Sequence, residues 1–135
     1  SVACSKNEML LKKLTKLSGD YPNIWILGQI DNVPKLMQGT DVFLTKPGGL
    51  STSEAAAANL PMVLIDAVAG CEEHNLDYFL RAGMAVTADT PEKIADLALS
   101  LAHDEARLSS MRNAMQESTA RPAAEMICDW LQAHR

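Results

Sequence analysis

Along this chain, short apolar runs alternate with stretches in which apolar residues recur every three or four positions. The runs "IWIL" (24–27), "VFLT" (42–45), "MVLI" (62–65) and "MAVT" (84–87) are each bounded by turn residues. Continuous short runs of this kind are expected of strands covered on both faces, as in a parallel sheet, where each strand is followed by a helix.

Helices are predicted in the gaps. Ser5 and Glu8 read as a capping box, after which Leu10, Leu14 and Leu17 mark a buried stripe ending at Ser18 and Gly19. Residues 31–38 make a short helix with Pro34 in its first turn and Gly39 closing it. Leu76, Phe79 and Leu80 form the inner face of another, stopped by Gly83. Thr90 caps a helix with Pro91 at its first position and Ile94, Leu97, Ala98 and Leu101 at helical spacing. Two more helices follow, one around Leu108, Met111 and Met115 and one around Met126, Ile127, Trp130 and Leu131. The methionines fall mostly at apolar positions and are expected to fill the core. The opening "SVACS" reads as the end of a strand, which in a buried sheet needs neighbours. The expectation is a single α/β domain over residues 1–135, a Rossmann-like doubly wound parallel sheet that is N-terminally truncated.

Composition narrows the chemistry. With 12 Lys and Arg against 17 Asp and Glu, the chain is too acidic for a phosphate-tracking nucleic-acid groove. The cluster Lys12, Lys13 and Lys16 reads as one exposed helix face that is short for a polybasic membrane run. Cys4, Cys71 and Cys128 are odd in number and lack C-x-x-C spacing, so neither a disulfide framework nor a zinc site is expected, and a cytoplasmic setting fits. No apolar run approaches a bilayer-spanning length, which leaves at most peripheral contact with a membrane.

The stretch "TKPGGLSTSE" (45–54) discards every large apolar side chain but Leu50 directly after a strand. Ligands collect at the carboxyl ends of parallel strands, and a glycine pair followed by a helix start exposes main-chain N–H groups suited to phosphate. Ser51, Thr52 and Ser53 add hydroxyls, and Glu54 is placed to accept from a ribose diol. Neither G-x-x-x-x-G-K-[ST] nor G-x-G-x-x-G is present. The same residues also fit a plain capping box from Ser51 to Glu54. A second cluster, "DAVAGCEEHN" (66–75), follows the next strand at the same sheet edge. Its Gly70 permits a sharp turn, and its carboxylates and amide suit sugar hydroxyls, or equally the positive end of a helix. Together the clusters suggest a nucleotide-sugar.

Residues 28–83, with "CSKNEML" at 4–10, resemble the donor-binding C-terminal domain of GT-B glycosyltransferases. Within these the resemblance is to the diacylglycerol glycosyltransferases, both the monogalactosyldiacylglycerol synthases and the processive glucosyltransferases, with the lipid II N-acetylglucosaminyltransferase as a relative. It implies that Gly48, Gly49, Leu50 and Ser51 meet the donor diphosphate, that Glu54 holds the ribose, and that the backbone of Gly28 to Ile30 walls the uracil. Gly70, Cys71, Glu72, Glu73 and Asn75 would face the sugar. Ala69 and Cys71 replace the family's usual proline and glutamine there, which leaves the choice between glucose and galactose open, and Ser5 stands where a glycine is usual.

The implied activity is inverting hexosyl transfer from a UDP-sugar to a diacylglycerol-type lipid at the inner face of the cell membrane, with no metal or other cofactor. The acceptor site and general base would belong to a missing N-terminal domain, so no catalytic residue is assigned and residues 1–135 alone are expected to be inactive. The alternatives are a separately encoded UDP-sugar-binding subunit acting with a partner chain, and a UDP-GlcNAc 2-epimerase-like domain.

Overall fold

The computed structural model describes residues 1–65, 67, 69–119 and 122–134, and only the backbone of Cys71. The chain divides into two compact units, residues 1–35 and 36–135.

The first unit is a βαβ motif. Strand β1 (Val2–Ala3) pairs in parallel with β2 (Ile26–Leu27), in the register Val2 to Ile26 and Ala3 to Leu27. Helix α1 (Glu8–Leu17) connects them. Its start differs from the expected Ser5 capping box. Ser5 has φ 50, in the left-handed region, so the chain is still turning there. Asn7 caps the helix instead, its Oδ1 accepting from the Leu10 amide at 3.0 Å. The expected buried stripe is also absent, since no residue of α1 is buried. Two strands of two residues offer little surface to cover, and the contact with β2's side of the motif is made by Leu11, whose Cδ2 lies 3.6 Å from where a Cβ on Gly28 would be.

Helix α2 (Val33–Gln38) leads into the second unit, capped by Asn32 Oδ1 on the Lys35 amide at 3.0 Å. There β3 (Phe43–Thr45), β4 (Met62–Leu64) and β5 (Ala85–Val86) form a parallel sheet in that order. Helices α3 (Gly49–Ala57) and α4 (Cys71–Arg81) make the crossovers, followed by α5 (Pro91–Ala102), α6 (Glu105–Thr119) and α7 (Ala123–Ala133). Strand β4 is fully buried and alternates between two cores, as a pleated strand covered on both faces must. Met62 and Leu64 join Ala55 and Ala56 of α3 and Phe79 of α4, whereas Val63 joins Ile94 and Leu101 of α5 and Leu108 and Met111 of α6. Each fully buried Leu or Met contributes roughly 2 kcal/mol relative to exposure. The doubly wound arrangement predicted from the apolar runs is therefore present in this unit.

The start of α5 follows its sequence signals, with Thr90 Oγ1 accepting from the Lys93 amide at 3.3 Å and Pro91 in the first turn. Gly83, with φ 71, ends α4 in a conformation that favours glycine. Helix α7 departs from expectation. Met126, Ile127, Trp130 and Leu131 are all more than half exposed, so they fill no core here, in contrast to the buried Met37, Met62, Met84, Met111 and Met115.

Candidate functional site

β3 ends at Thr45, and after Lys46 and the buried Pro47 the chain enters α3 with Gly48 as N-cap in an extended conformation (φ −73, ψ 138). The helical ladder opens with the Thr52 amide donating to the Gly48 carbonyl at 3.1 Å. The amides of Gly49, Leu50 and Ser51 therefore precede it, in the turn where an α-helix provides no internal acceptor. The wholly buried Thr52 hydroxyl donates to the same carbonyl at 2.8 Å and anchors the turn from below.

No side chain caps α3. Four other helices supply one to their first-turn amides: Asn7, Asn32, Thr90 and Asp104, the last accepting from Arg107 N at 3.0 Å. The alternative capping box from Ser51 to Glu54 does not form. It requires Ser51 at the N-cap, but the helix starts earlier and Ser51 already lies within its first turn. Glu54 is exposed one turn further on.

The second cluster opens α4. Gly70 holds φ 98, a value that only glycine adopts readily, and its amide donates to Glu73 Oε2 at 3.1 Å. Glu73, expected to face a sugar, thus closes the turn of its own helix. Two residues later Asn75 Nδ2 donates to the Pro47 carbonyl at 2.9 Å, across 28 positions of sequence. A Cβ built on Gly49 would lie 3.9 Å from the same nitrogen. One side-chain amide thereby joins the glycine turn of α3 to the opening of α4.

Gly48, Gly49, Leu50 and Ser51 are thus brought beside Asn75, with Glu54 further along α3 and Gly70, Glu72 and Glu73 at the start of α4. Leu50, in the first turn, is 83% exposed. The side chain of Cys71 lies outside the described residues. Gly28 and Ile30 belong to the first unit, just after β2. His74 lines an open depression with Asp77, Tyr78, Arg81 and Ala82 on α4 that does not include the glycine turn. Among the described residues no cluster of His, Cys, Asp and Glu could hold a metal, and no helix is long and apolar enough to cross a membrane. Sequence reasoning missed the Pro47 carbonyl, for which no local signal exists, because its partner comes from the next βα unit.

Comparison with known proteins adds the following. Residues 5–121 match the family model described as glycosyl transferases group 1. A processive diacylglycerol beta-glucosyltransferase of Staphylococcus carnosus is 34% identical over 93% of this chain and 32% of its own length. One of the same description from Bacillus cereus is 35% identical over 98% of this chain and 34% of its own. The chain spans about a third of the length of these curated relatives. Among solved structures, the glycotransferase of kitacinnamycin superposes with TM-score 0.57 at 25% identity over 71% of this chain and 26% of its own. SsfS6, a glycosyltransferase of Streptomyces sp. SF2575, superposes with TM-score 0.61 at 19% identity over 89% of this chain and 36% of its own, a likeness of fold.

Proposed function

The chain belongs to the group 1 glycosyltransferases, and from that premise we propose that it is the donor-binding part of an inverting hexosyltransferase that uses a UDP-sugar. The acceptor on this reading is a diacylglycerol-type lipid, the substrate class for which its relatives are named. The observation that carries the reading is the Asn75 to Pro47 hydrogen bond, which joins an uncapped helix start to a second polar turn.

In this reading the amides of Gly49, Leu50 and Ser51 receive the donor diphosphate. They point along the helix axis, so the positive end of α3 faces the charge that develops as the sugar–phosphate bond breaks. Such donors need little reorganisation during the reaction and stabilise the leaving group electrostatically without a metal. Glu54 accepts from the ribose hydroxyls, and Glu72 and Asn75 offer the sugar a carboxylate and an amide oxygen. Glu73 acts by holding the turn. The acceptor site and the general base come from residues outside these 135, in the same polypeptide or in a partner chain, and the transfer takes place at a membrane surface where the lipid resides.

Titration calorimetry with UDP tests the proposal. Binding of UDP, with UDP-glucose or UDP-galactose bound more tightly, is the expected result. Absence of both heat and thermal shift at millimolar UDP removes it.

A further inference from the structure

The lysines of α1 are not among the residues proposed for the donor site. Met9, Lys12, Lys13, Lys16 and Leu17 fall at i, i+3, i+4, i+7 and i+8, and so share one helix face. All five are exposed, Met9 at 84% and Leu17 at 62%. Lys6, just ahead of the helix, is exposed as well. Leu11 and Leu14, off the lysine face, are the half-buried leucines of α1, so packing within the unit does not account for the apolar residues on that face. Among the described residues none of these four lysines forms an ion pair.

Charge is segregated along the chain. Residues 1–35 carry five lysines against three carboxylates, whereas residues 36–135 carry seven basic side chains against fourteen acidic ones. Three lysines on one face of α1, with Lys6 just ahead of it, give an anionic partner an attractive surface on an otherwise acidic chain. Nucleic acid would satisfy the lysines but offers Met9 and Leu17 no apolar phase. An anionic bilayer satisfies both, taking methionine and leucine below the headgroups while the long lysine stems keep their ammonium groups among the lipid phosphates.

We propose that α1 is a membrane-docking helix, which lies on an anionic lipid surface through Lys6, Lys12, Lys13 and Lys16 and inserts Met9 and Leu17 at the headgroup boundary. This goes beyond the donor site and stands whether or not the second unit holds a nucleotide. Cosedimentation with phosphatidylcholine vesicles, with and without phosphatidylglycerol, tests it. Each lysine near an anionic surface strengthens partitioning roughly fivefold, so Lys12→Gln/Lys13→Gln/Lys16→Gln is expected to weaken binding to the mixed vesicles about a hundredfold. Met9→Gln is expected to weaken it several-fold at any salt concentration. Circular dichroism melting confirms that both variants fold. Failure of the parent chain to bind the anionic vesicles, equal binding to phosphatidylcholine alone, or retention by the triple variant overturns the proposal. Unchanged binding of Met9→Gln overturns the insertion that distinguishes it from simple charge attraction.

Discussion

Helices α3 and α4 follow consecutive parallel strands at the same edge of the sheet, yet their first turns are finished differently. At α4, Glu73 accepts from the amide of the N-cap Gly70, and no side chain caps the first-turn amides of the helix. α3 is left uncapped, with Gly48 at its N-cap and its glycine carbonyl held from inside by Thr52. Neither first turn has a side-chain cap, but Glu72 and Glu73 lie in that of α4 and disfavour an anion there, whereas the first turn of α3 carries no acidic residue. Asn75 ties the two together, so the start of α4 positions that of α3. The contrast inverts the simplest reading of the sequence, in which Ser51 to Glu54 has the look of a capping box and Glu73 that of a ligand.

The largest expected effect comes from closing α3 artificially. Gly49→Asp places a carboxylate where the diphosphate is proposed to bind, and its Cβ meets only ordinary contact with Asn75. UDP affinity by calorimetry is expected to fall roughly a hundredfold through like-charge repulsion, while the melting temperature holds or rises because an acidic first turn suits the helix. Loss of stability without loss of affinity would mean that the turn is not a binding site.

Next comes the link between the helices. Asn75→Ala removes the bond to Pro47 and is expected to cost about 1 kcal/mol of stability, with UDP affinity lowered about tenfold as the turn loosens. Chemical denaturation and calorimetry on the same samples separate the two effects. Glu73→Ala should do the opposite at α4. About 1 kcal/mol of stability is expected to be lost with the cap while UDP affinity stays within about twofold, and a larger fall would return Glu73 to the ligand set.

The smallest effect concerns the turn before α1. Ser5 adopts φ 50 without the freedom of glycine. Ser5→Gly is expected to raise stability by about 0.5 kcal/mol, measured by denaturation, because it relieves the left-handed conformation at some cost in chain entropy.

How much was legible followed from the range of the interaction involved. The β4 run, the Thr90–Pro91 start and the Gly83 stop were readable because each is set by neighbours within a few residues. The buried stripe of α1 was misread since amphipathic spacing identifies an apolar face but not whether a surface exists to cover it, and two short strands provide little. The same limit applies to Trp130 and its neighbours on α7, which repeat at helical spacing but remain exposed. Family resemblance supplied the candidate residues of the proposed site, but not that Glu73 bonds the Gly70 amide of its own helix start.

By itself the sequence determined the alternation of strand and helix, the parallel sheet, and the two glycine turns at its carboxyl edge, because apolar period, caps and glycine conformations are local properties. Tertiary structure alone decided that Thr52 is wholly buried beneath the uncapped start of α3. It alone also decided that Asn75 reaches Pro47 across 28 positions. Those outcomes depend on where two helices begin relative to one strand edge, and only the packed sheet sets that distance.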